Sequence, residues 1–530
     1  MVCAYTLVIN LLEMKDLKEL AYIVTKNKLK SIKILDTEKH ANSKLMAFYE
    51  GLSQNEIDSD EEALLTLYPR TLNKSAYRKL KSNLRNHLLN TLFFIDLKKK
   101  TYTDRQRAFY ECQKDWAAAN ILMAKNARET CVDLCSKILR YGEEYEFSEL
   151  NRDVSRFLRL HYGSREGDVK KYEYYKKKAT QFDEICRQEN TVEELYTELV
   201  IKHVNTIGNQ QGMDVLAREI VKEIEPIMSN WDTYKIHLYG GLIQLMVHTT
   251  QNNYQETILI CDSIIHFFER KSYQAFTPLQ IAYYQKLVCM IQLRKFENAE
   301  EVAEKCMSLI EEGTFNWFKY NELYFTVCMH TEKYQKAYHI YCEVVNHKRY
   351  NFLPPNNKEI WIINEAYLKY LAQIETIIPD EQNNHFAKFS IGKFVNETPI
   401  FSKDKRGMNI AILGIQILFL ILTKKYGKAI DRIEAVEKYC TRYLRQPDTI
   451  RSYYFIKMLL TIPLANFHQV AVERKSKVYL DKLRKQPLEL SDQTHKIEII
   501  NYEKLWTFAL DSLEQQFYRK KHAPKNSSSS

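Results

Sequence analysis

Residues that interrupt helices are scarce in this chain. Its 530 residues include 13 glycines and 11 prolines, whereas average usage is about 7% and about 5%. Hairpin-rich β folds, parallel α/β sheets and glycine-rich phosphate loops all need more of these residues. The 45% of hydrophobic residues is enough for a large buried core, so general disorder is excluded. The composition therefore predicts an almost entirely helical protein.

The spacing of apolar residues supports the same fold class. Apolar positions recur every three or four residues, as at Ile258, Cys261 and Ile265, and no stretch shows sustained alternation. Short polar breaks separate these segments, for example near 163–168 and 190–191. The pattern predicts antiparallel helix pairs joined by connections of about two to eight residues.

Composition also predicts the domain organisation. Glycine and proline are rarest in the first hundred residues, four of the eleven prolines fall between 354 and 399, and the C-terminus is basic and then serine-rich. The predicted order is a helical N-terminal domain (1–103) with a basic helix (74–97), helical repeats (104–350), a helix followed by an irregular basic loop (351–407), further helical repeats (408–517) and a disordered tail (518–530).

The N-terminal domain is predicted to contain four helices, near 14–31, 42–52, 59–68 and 74–97. The third is the most clearly marked, because Ser59 and Glu62 have the spacing of a capping box. Asn73 or Ser75 is the expected N-cap of the fourth helix. Met14 opens a conventional amphipathic helix, so translation starting there is a second hypothesis for the N-terminus.

A short motif recurs at the start of four predicted helices. An aromatic residue is followed three positions later by a small one, in Phe296-x-x-Ala299, Tyr334-x-x-Ala337, Tyr426-x-x-Ala429 and the weaker copy Tyr254-x-x-Thr257. Each copy follows an apolar helix and a short polar turn. We expect the aromatic ring to fill the space beneath the turn, while the small residue lets the helix cross its partner closely.

This motif resembles the second half of a tetratricopeptide repeat (TPR). The first helix departs from the family pattern, with Leu287 where a small residue is expected. The resemblance implies an α–α superhelix that holds a protein or peptide partner along its concave face. A stack of helix pairs leaves an extended groove of this kind rather than a catalytic cleft.

Positive charge is concentrated near the N-terminus. The net charge of the whole chain is +10, but residues 70–100 alone carry +8, from nine basic side chains and one acidic one. Lys74, Arg78, Lys81 and Arg85 are spaced by four, three and four residues, which places them in one row on a helix. Three interpretations stay open: contacts with nucleic acid, contacts with an acidic protein, or a solvated row paired with acids of the preceding helix.

A second group of cations lies in the irregular segment before residue 408. Lys403, Lys405 and Arg406 precede Gly407 and a predicted helix start. Cations beside a helix N-terminus are a candidate site for an anion or a partner. A surface lid without a ligand is the alternative.

Enzyme signatures are missing from the sequence. It contains no G-x-x-x-x-G-K-[ST], H-E-x-x-H or G-x-S-x-G motif. Arg156 and His161 fit the loose Arg-x4–6-His pattern of some helical ribonucleases, at a frequency expected by chance. The eleven cysteines include no C-x-x-C pair, which favours free buried thiols in a reducing compartment. We therefore expect no catalytic site, no metal and no cofactor.

The longest apolar run, Ile410–Leu422, has 13 residues, fewer than the roughly 20 that span a bilayer. We therefore expect a soluble, cytoplasmic protein without membrane insertion. The main functional hypothesis is a non-catalytic TPR-like scaffold or adaptor that binds a protein or peptide in a superhelical groove. The alternative is a nucleic-acid-associated regulator, with residues 70–100 contacting nucleic acid and the TPR-like region acting as a sensor.

Overall fold

The computed structural model describes residues 43–94, 103–205, 213–380, 408–443, 450–486 and 498–515, apart from positions 55, 58, 252 and 297, together with 386, 389–390 and 394. These residues form twenty α-helices, and their only β-type pairing is one bridge between His468 and Glu514. The all-α prediction is confirmed for this part of the chain. The predicted helix at 14–31, most of 379–407 and the tail at 518–530 lie outside the described residues.

The chain divides into two compact units. The described residues of the first unit belong to 43–194, 230–236 and 271–274, and those of the second to 195–229, 237–270 and 275–515. The domain boundaries predicted from the sequence stay a prediction.

Nine of the described helices precede residue 251. They are α1 (Lys44–Ser53), α2 (Asp60–Leu67), α3 (Lys74–Thr91), α4 (Asp104–Ala124), α5 (Arg128–Glu144), α6 (Ser148–His161), α7 (Val169–Asn205), α8 (Met213–Asn230) and α9 (Tyr234–Thr250). A 3-10 turn, Leu92–Phe94, extends α3, and a π-helical turn, Tyr162–Glu166, follows α6.

Eleven further helices complete the described chain. They are α10 (Tyr254–Glu269), α11 (Phe276–Gln292), α12 (Ala299–Met307), α13 (Phe315–His330), α14 (Tyr334–Asn346), α15 (Pro355–Gln373), α16 (Met408–Leu422), α17 (Tyr426–Tyr443), α18 (Ile450–Leu464), α19 (Gln469–Arg484) and α20 (Tyr502–Asp511). From α10 onward each helix packs against the next one along the chain.

The N-terminal helices begin where their capping residues predict. The Ser59 hydroxyl accepts from the Glu62 amide at 3.2 Å, while the Glu62 carboxylate accepts from the Ser59 amide at 3.1 Å. Asn73 caps α3 by accepting from the Ala76 amide at 2.9 Å. The capping box predicted for α2 is therefore confirmed.

The break predicted near 190–191 is wrong, because α7 runs without interruption from Val169 to Asn205. Glu189 and Val192 are both buried on this helix, and the Ser148 hydroxyl donates to the Glu189 carboxylate at 2.9 Å. Packing of this stretch against its neighbours outweighs the weak helix propensity of Asn190 and Thr191.

Seven helix C-termini in the described residues share one turn geometry. A residue with positive φ follows the helix end, and the next amide donates to the carbonyl five residues back, as in Lys333 to Cys328 at 2.9 Å. This is the Schellman arrangement of a helix C-terminus. The left-handed residues are Asn126, Glu146, Arg294, Glu332, Glu375, Lys424 and Asn466, with φ between 51° and 61°. None is glycine, which agrees with the low glycine content.

The C-terminal segment, residues 498–515, contacts several hairpins of the second unit. Side chains of Tyr502, Leu505, Trp506 and Ala509 on α20 are buried. Three left-handed turn residues form ion pairs with this segment, namely Arg294 with Glu503 at 3.6 Å, Glu332 with Lys504 at 2.6 Å and Lys424 with Glu514 at 2.5 Å. The segment therefore contacts three of these turns.

Candidate partner-binding groove

Helices α1, α2 and α3 form an open, mainly apolar groove. Its volume is about 560 Å³, within the range of roughly 300–1,000 Å³ that is common for ligand pockets. The lining residues come from all three helices and are Phe48, Tyr49, Leu52, Ile57, Ser59, Asp60, Ala63, Tyr77, Lys81, Leu84, Arg85, Leu88, Leu89, Thr91 and Leu92.

Part of the apolar lining is exposed. The small core beneath the groove consists of seven buried residues, among them Phe48, Tyr77 and Leu84. At the open end, Leu52 and Leu89 are each 42% exposed and Leu92 is 58% exposed. Scattered exposed leucines are ordinary, but neighbouring ones that line a concavity mark a binding surface.

The basic row predicted on α3 lies at the edge of this groove. Lys74, Arg78, Lys81 and Arg85 are all exposed, and the last two belong to the lining. Only Lys81 among the four has an ion pair within the described residues, with Asp60 of α2. The predicted pairing with acids of the preceding helix therefore holds for one of the four cations.

Asp60 connects the row to the core. The Tyr77 hydroxyl donates to the Asp60 carboxylate at 2.6 Å, and the Lys81 ammonium donates to the same oxygen. These two hydrogen bonds, the one from Lys81 first, hold the pKa of Asp60 below its usual value. Burial, reinforced by the bond to Asp60, raises the pKa of Tyr77 to about 12. Asp60 is therefore an acceptor with two fixed donors, while the side chains of Lys74, Arg78 and Arg85 are exposed.

Along α3, the basic row continues into leucines. Lys74 to Arg85 is eleven residues, or about 16 Å at 1.5 Å per residue. Leu88 and Leu92 follow on the same side of the helix and line the same groove. The edge of the groove is thus cationic toward the start of α3 and apolar toward its end.

The structure gives the burial and the ring contacts of the repeat-motif residues, and their role in repeat packing stays a prediction. Their small members, Ala299, Ala337, Ala429 and Thr257, have no exposed surface. Three of the aromatic members lie against neighbouring rings. The centroid distances are 5.6 Å for Phe296 and His330, 6.2 Å for Tyr334 and Phe508, and 4.3 Å for Tyr426 and Phe467. Tyr254, the first residue of α10, is half-buried.

The candidate residues Lys403, Lys405 and Arg406 lie outside the described residues. Arg156 and His161 have separate partners. Arg156 pairs with Asp183 at 2.8 Å, while His161 Nε2 lies 2.7 Å from a Glu166 oxygen. In these contacts Arg156 and His161 therefore have no shared partner.

Cysteines and metal ligands form no site in the described part of the chain. Nine cysteines there are free thiols, eight of them buried, and burial raises the pKa of Cys112 to about 11. No group of three or more His, Cys, Asp or Glu side chains in these residues has a metal-binding arrangement. Among the same residues, no helix has the length and apolar character needed to cross a bilayer.

Sequence reasoning found the basic row but missed the groove. The groove needs Phe48 and Leu52 of α1 opposite Leu88 of α3, and nothing in the local pattern of either helix reports this pairing. One signal was present, because Leu88, Leu89 and Leu92 continue the row with more apolar residues than one buried stripe requires.

Comparisons with known proteins give no relative. No family model, no curated protein and no solved structure matches the chain.

Proposed function

We propose that this chain is a non-catalytic scaffold or adaptor that binds a protein partner in the groove of α1, α2 and α3. The observation that carries the proposal is the groove itself, with an apolar floor, exposed leucines at one end and cations at its edge. Protein interfaces commonly combine an apolar centre with a polar rim in this way.

We propose further that the helical hairpins from α4 onward form a TPR-like array. This array would serve as the scaffold that joins the groove to other proteins of an assembly. The recurring Schellman turn and the fully buried alanines of the motif support a repeated packing unit. In the first unit, successive turns lie side by side. The carboxylate of Glu146, in the α5–α6 turn, accepts from the Tyr234 amide and from Lys271, both at 2.6 Å.

Nucleic-acid binding is the second candidate function. Lys74, Arg78 and Arg85 favour it, because these exposed cations have no ion-pair partner among the described residues and suit phosphates. The leucines that continue the row favour a protein, because a phosphate backbone offers no apolar surface to cover them. We therefore rank the protein partner first.

The test is affinity capture from a nuclease-treated extract with the full-length chain as bait. The variant Leu52→Asp/Leu92→Asp places charge in the groove, and Leu160→Asp places it at a 64% exposed site on α6 outside the groove. We expect a captured protein that the groove variant loses and the control retains. Loss of every captured protein after nuclease treatment, or equal capture by the groove variant, contradicts the proposal.

A further inference from the structure

We infer that the occupant of the groove is an amphipathic helix of a partner protein, with an apolar face flanked by acidic side chains. This inference rests on the proposed function and specifies the chemistry of the partner. It follows from the shape of the groove, from the order of charge along α3, and from the poor fit of the other possible occupants.

The dimensions of the groove suit a helix. Its lining on α3 extends from Tyr77 to Leu92, which is about 22 Å at 1.5 Å per residue and equals roughly four helical turns. The floor between α1 and α3 is formed by large apolar side chains, including Phe48 and Leu84. Grooves of this kind recognise helices through apolar residues spaced by three, four and seven positions.

The order of charge along α3 specifies the flank of the partner helix. Lys74, Arg78 and Arg85 are exposed and lack ion-pair partners among the described residues, while Lys81 is paired with Asp60. A helix lying beside α3 would meet these cations over about three of its own turns. Acidic residues on that flank complement the three cations, whereas lysines there would be repelled.

Other occupants fit less well. The segment 14–31 of this chain carries five lysines and two acids, so its net charge of +3 does not complement the cationic edge. In a second copy of the chain, α2 offers acids in its first turn, but Ala63 and Leu67 are buried in its own bundle. Leu65 is exposed, at 58%, and a helix of eight residues with one exposed leucine is too short to fill a groove of about four turns. A nucleic acid would complement the cations through its phosphates, but its phosphate backbone offers no apolar surface for the leucines.

The probe for the test is a labelled synthetic peptide as long as α3. It has leucines at helical spacing and glutamates beside them, and in the matched peptide lysines replace the glutamates. Binding to the full-length chain is followed by fluorescence anisotropy. We expect the glutamate peptide to bind at least tenfold more tightly than the lysine peptide, and Arg78→Glu/Arg85→Glu to weaken its binding at least tenfold.

Two variants separate this site from general basicity. Arg165→Glu/Lys170→Glu removes two exposed cations in the α6–α7 region and is expected to leave binding of the glutamate peptide unchanged. Leu92→Asp is expected to weaken the binding of both peptides, because it places a charge in the apolar end of the groove. Circular dichroism of each variant confirms that it is folded.

Several results would overturn the inference. Equal binding of the two peptides would mean that the acidic flank has no role. Binding weaker than about 1 mM would mean that the groove does not accept such a helix. An oligothymidylate that binds in place of the peptide and is lost in Arg78→Glu/Arg85→Glu would identify nucleic acid as the occupant.

Failure of the inference is distinguishable from failure of the proposed function. The variant Leu17→Asp/Val24→Asp places two charges among the apolar residues of the sequence 14–31. If the peptide bound to this variant but not to the unmodified chain, the chain's own segment would be the occupant of the groove. If the captured protein depended on Leu52 and Leu92 but not on Arg78 and Arg85, the groove would still bind a protein. In that case only the acidic flank would be wrong.

Discussion

Replacement of Arg451 by methionine is expected to destabilise the second unit strongly. Its guanidinium has no exposed surface and lies between α18, the end of α19 and the start of α20. It donates to both oxygens of the buried Glu498, to a Glu503 oxygen at 2.7 Å, and to the carbonyls of Leu483 and Gln486 at 2.9 and 3.2 Å. Arg451 is therefore the donor that these acceptors share, while the Tyr502 amide also donates to Glu498 at 3.0 Å and Arg294 also pairs with Glu503 at 3.6 Å.

The magnitude follows from what the methionine leaves behind. Glu498 would be a buried carboxylate without a counter-ion, and loss of one partner of a buried pair costs about 3–5 kcal/mol. Burial already raises the pKa of Glu498, and Arg451 opposes that rise. Without Arg451 the folded-state pKa would rise further, so the folded variant would take up a proton more readily than the unfolded one. The stability deficit is therefore expected to shrink as the pH falls.

Urea unfolding of the full-length chain, followed by circular dichroism and by tryptophan fluorescence, to which the buried Trp506 contributes, measures this free energy. Arg451→Met/Glu498→Leu removes both charges and is expected to recover most of the loss. Lys305→Met is the control, because its pair with Glu301 is more than half exposed and is worth less than about 1 kcal/mol. A loss below about 1 kcal/mol in Arg451→Met, or a double variant no better than the single one, would refute the reasoning.

Three further predictions concern local packing and protonation. Burial lowers the pKa of His330 to about 4, so the folded protein disfavours protonated His330. The free energy of unfolding should therefore fall by about 2 kcal/mol between pH 7 and pH 5, and the fall should be smaller in His330→Gln. Ala337→Leu should cost about 1–3 kcal/mol in urea unfolding, because Ala337 is completely buried where α14 packs against α13; no loss would contradict close helix crossing. Glu375 has φ 58°, so Glu375→Gly should have a higher thermal midpoint than Glu375→Val, and the reverse order would contradict a left-handed turn.

Local signals in the sequence were enough to place helices and their caps. The capping box of α2 and the Asn73 cap of α3 depend on residues within three positions of each other, and the structure has both. The three alanines of the repeat motif are completely buried, and their role in close helix crossing stays a prediction. The prediction of a helix break at Asn190 and Thr191 was wrong, because burial of Val192 and Glu189 maintains the helix there.

Features that depend on distant residues could not be read from the chain. The Arg451 cluster joins residues 32 to 52 positions apart, and the groove joins three helices. The left-handed turn residues were also missed, because Glu332 and Lys424 are not residue types that favour positive φ. Glu332 and Lys424 also form ion pairs with the C-terminal segment.

The central claim is that the groove of α1, α2 and α3 binds a protein helix, and photocrosslinking in cells tests it most directly. A photoreactive amino acid at Leu92, which is 58% exposed at the open end of the groove, reports whatever lies there. The account predicts a covalent adduct with another protein, with the crosslink on an acidic amphipathic segment, and loss of that adduct in Arg78→Glu/Arg85→Glu. An adduct unchanged in that variant would contradict only the acidic flank of the partner. A crosslink to nucleic acid, or no adduct with another protein, would contradict the central claim.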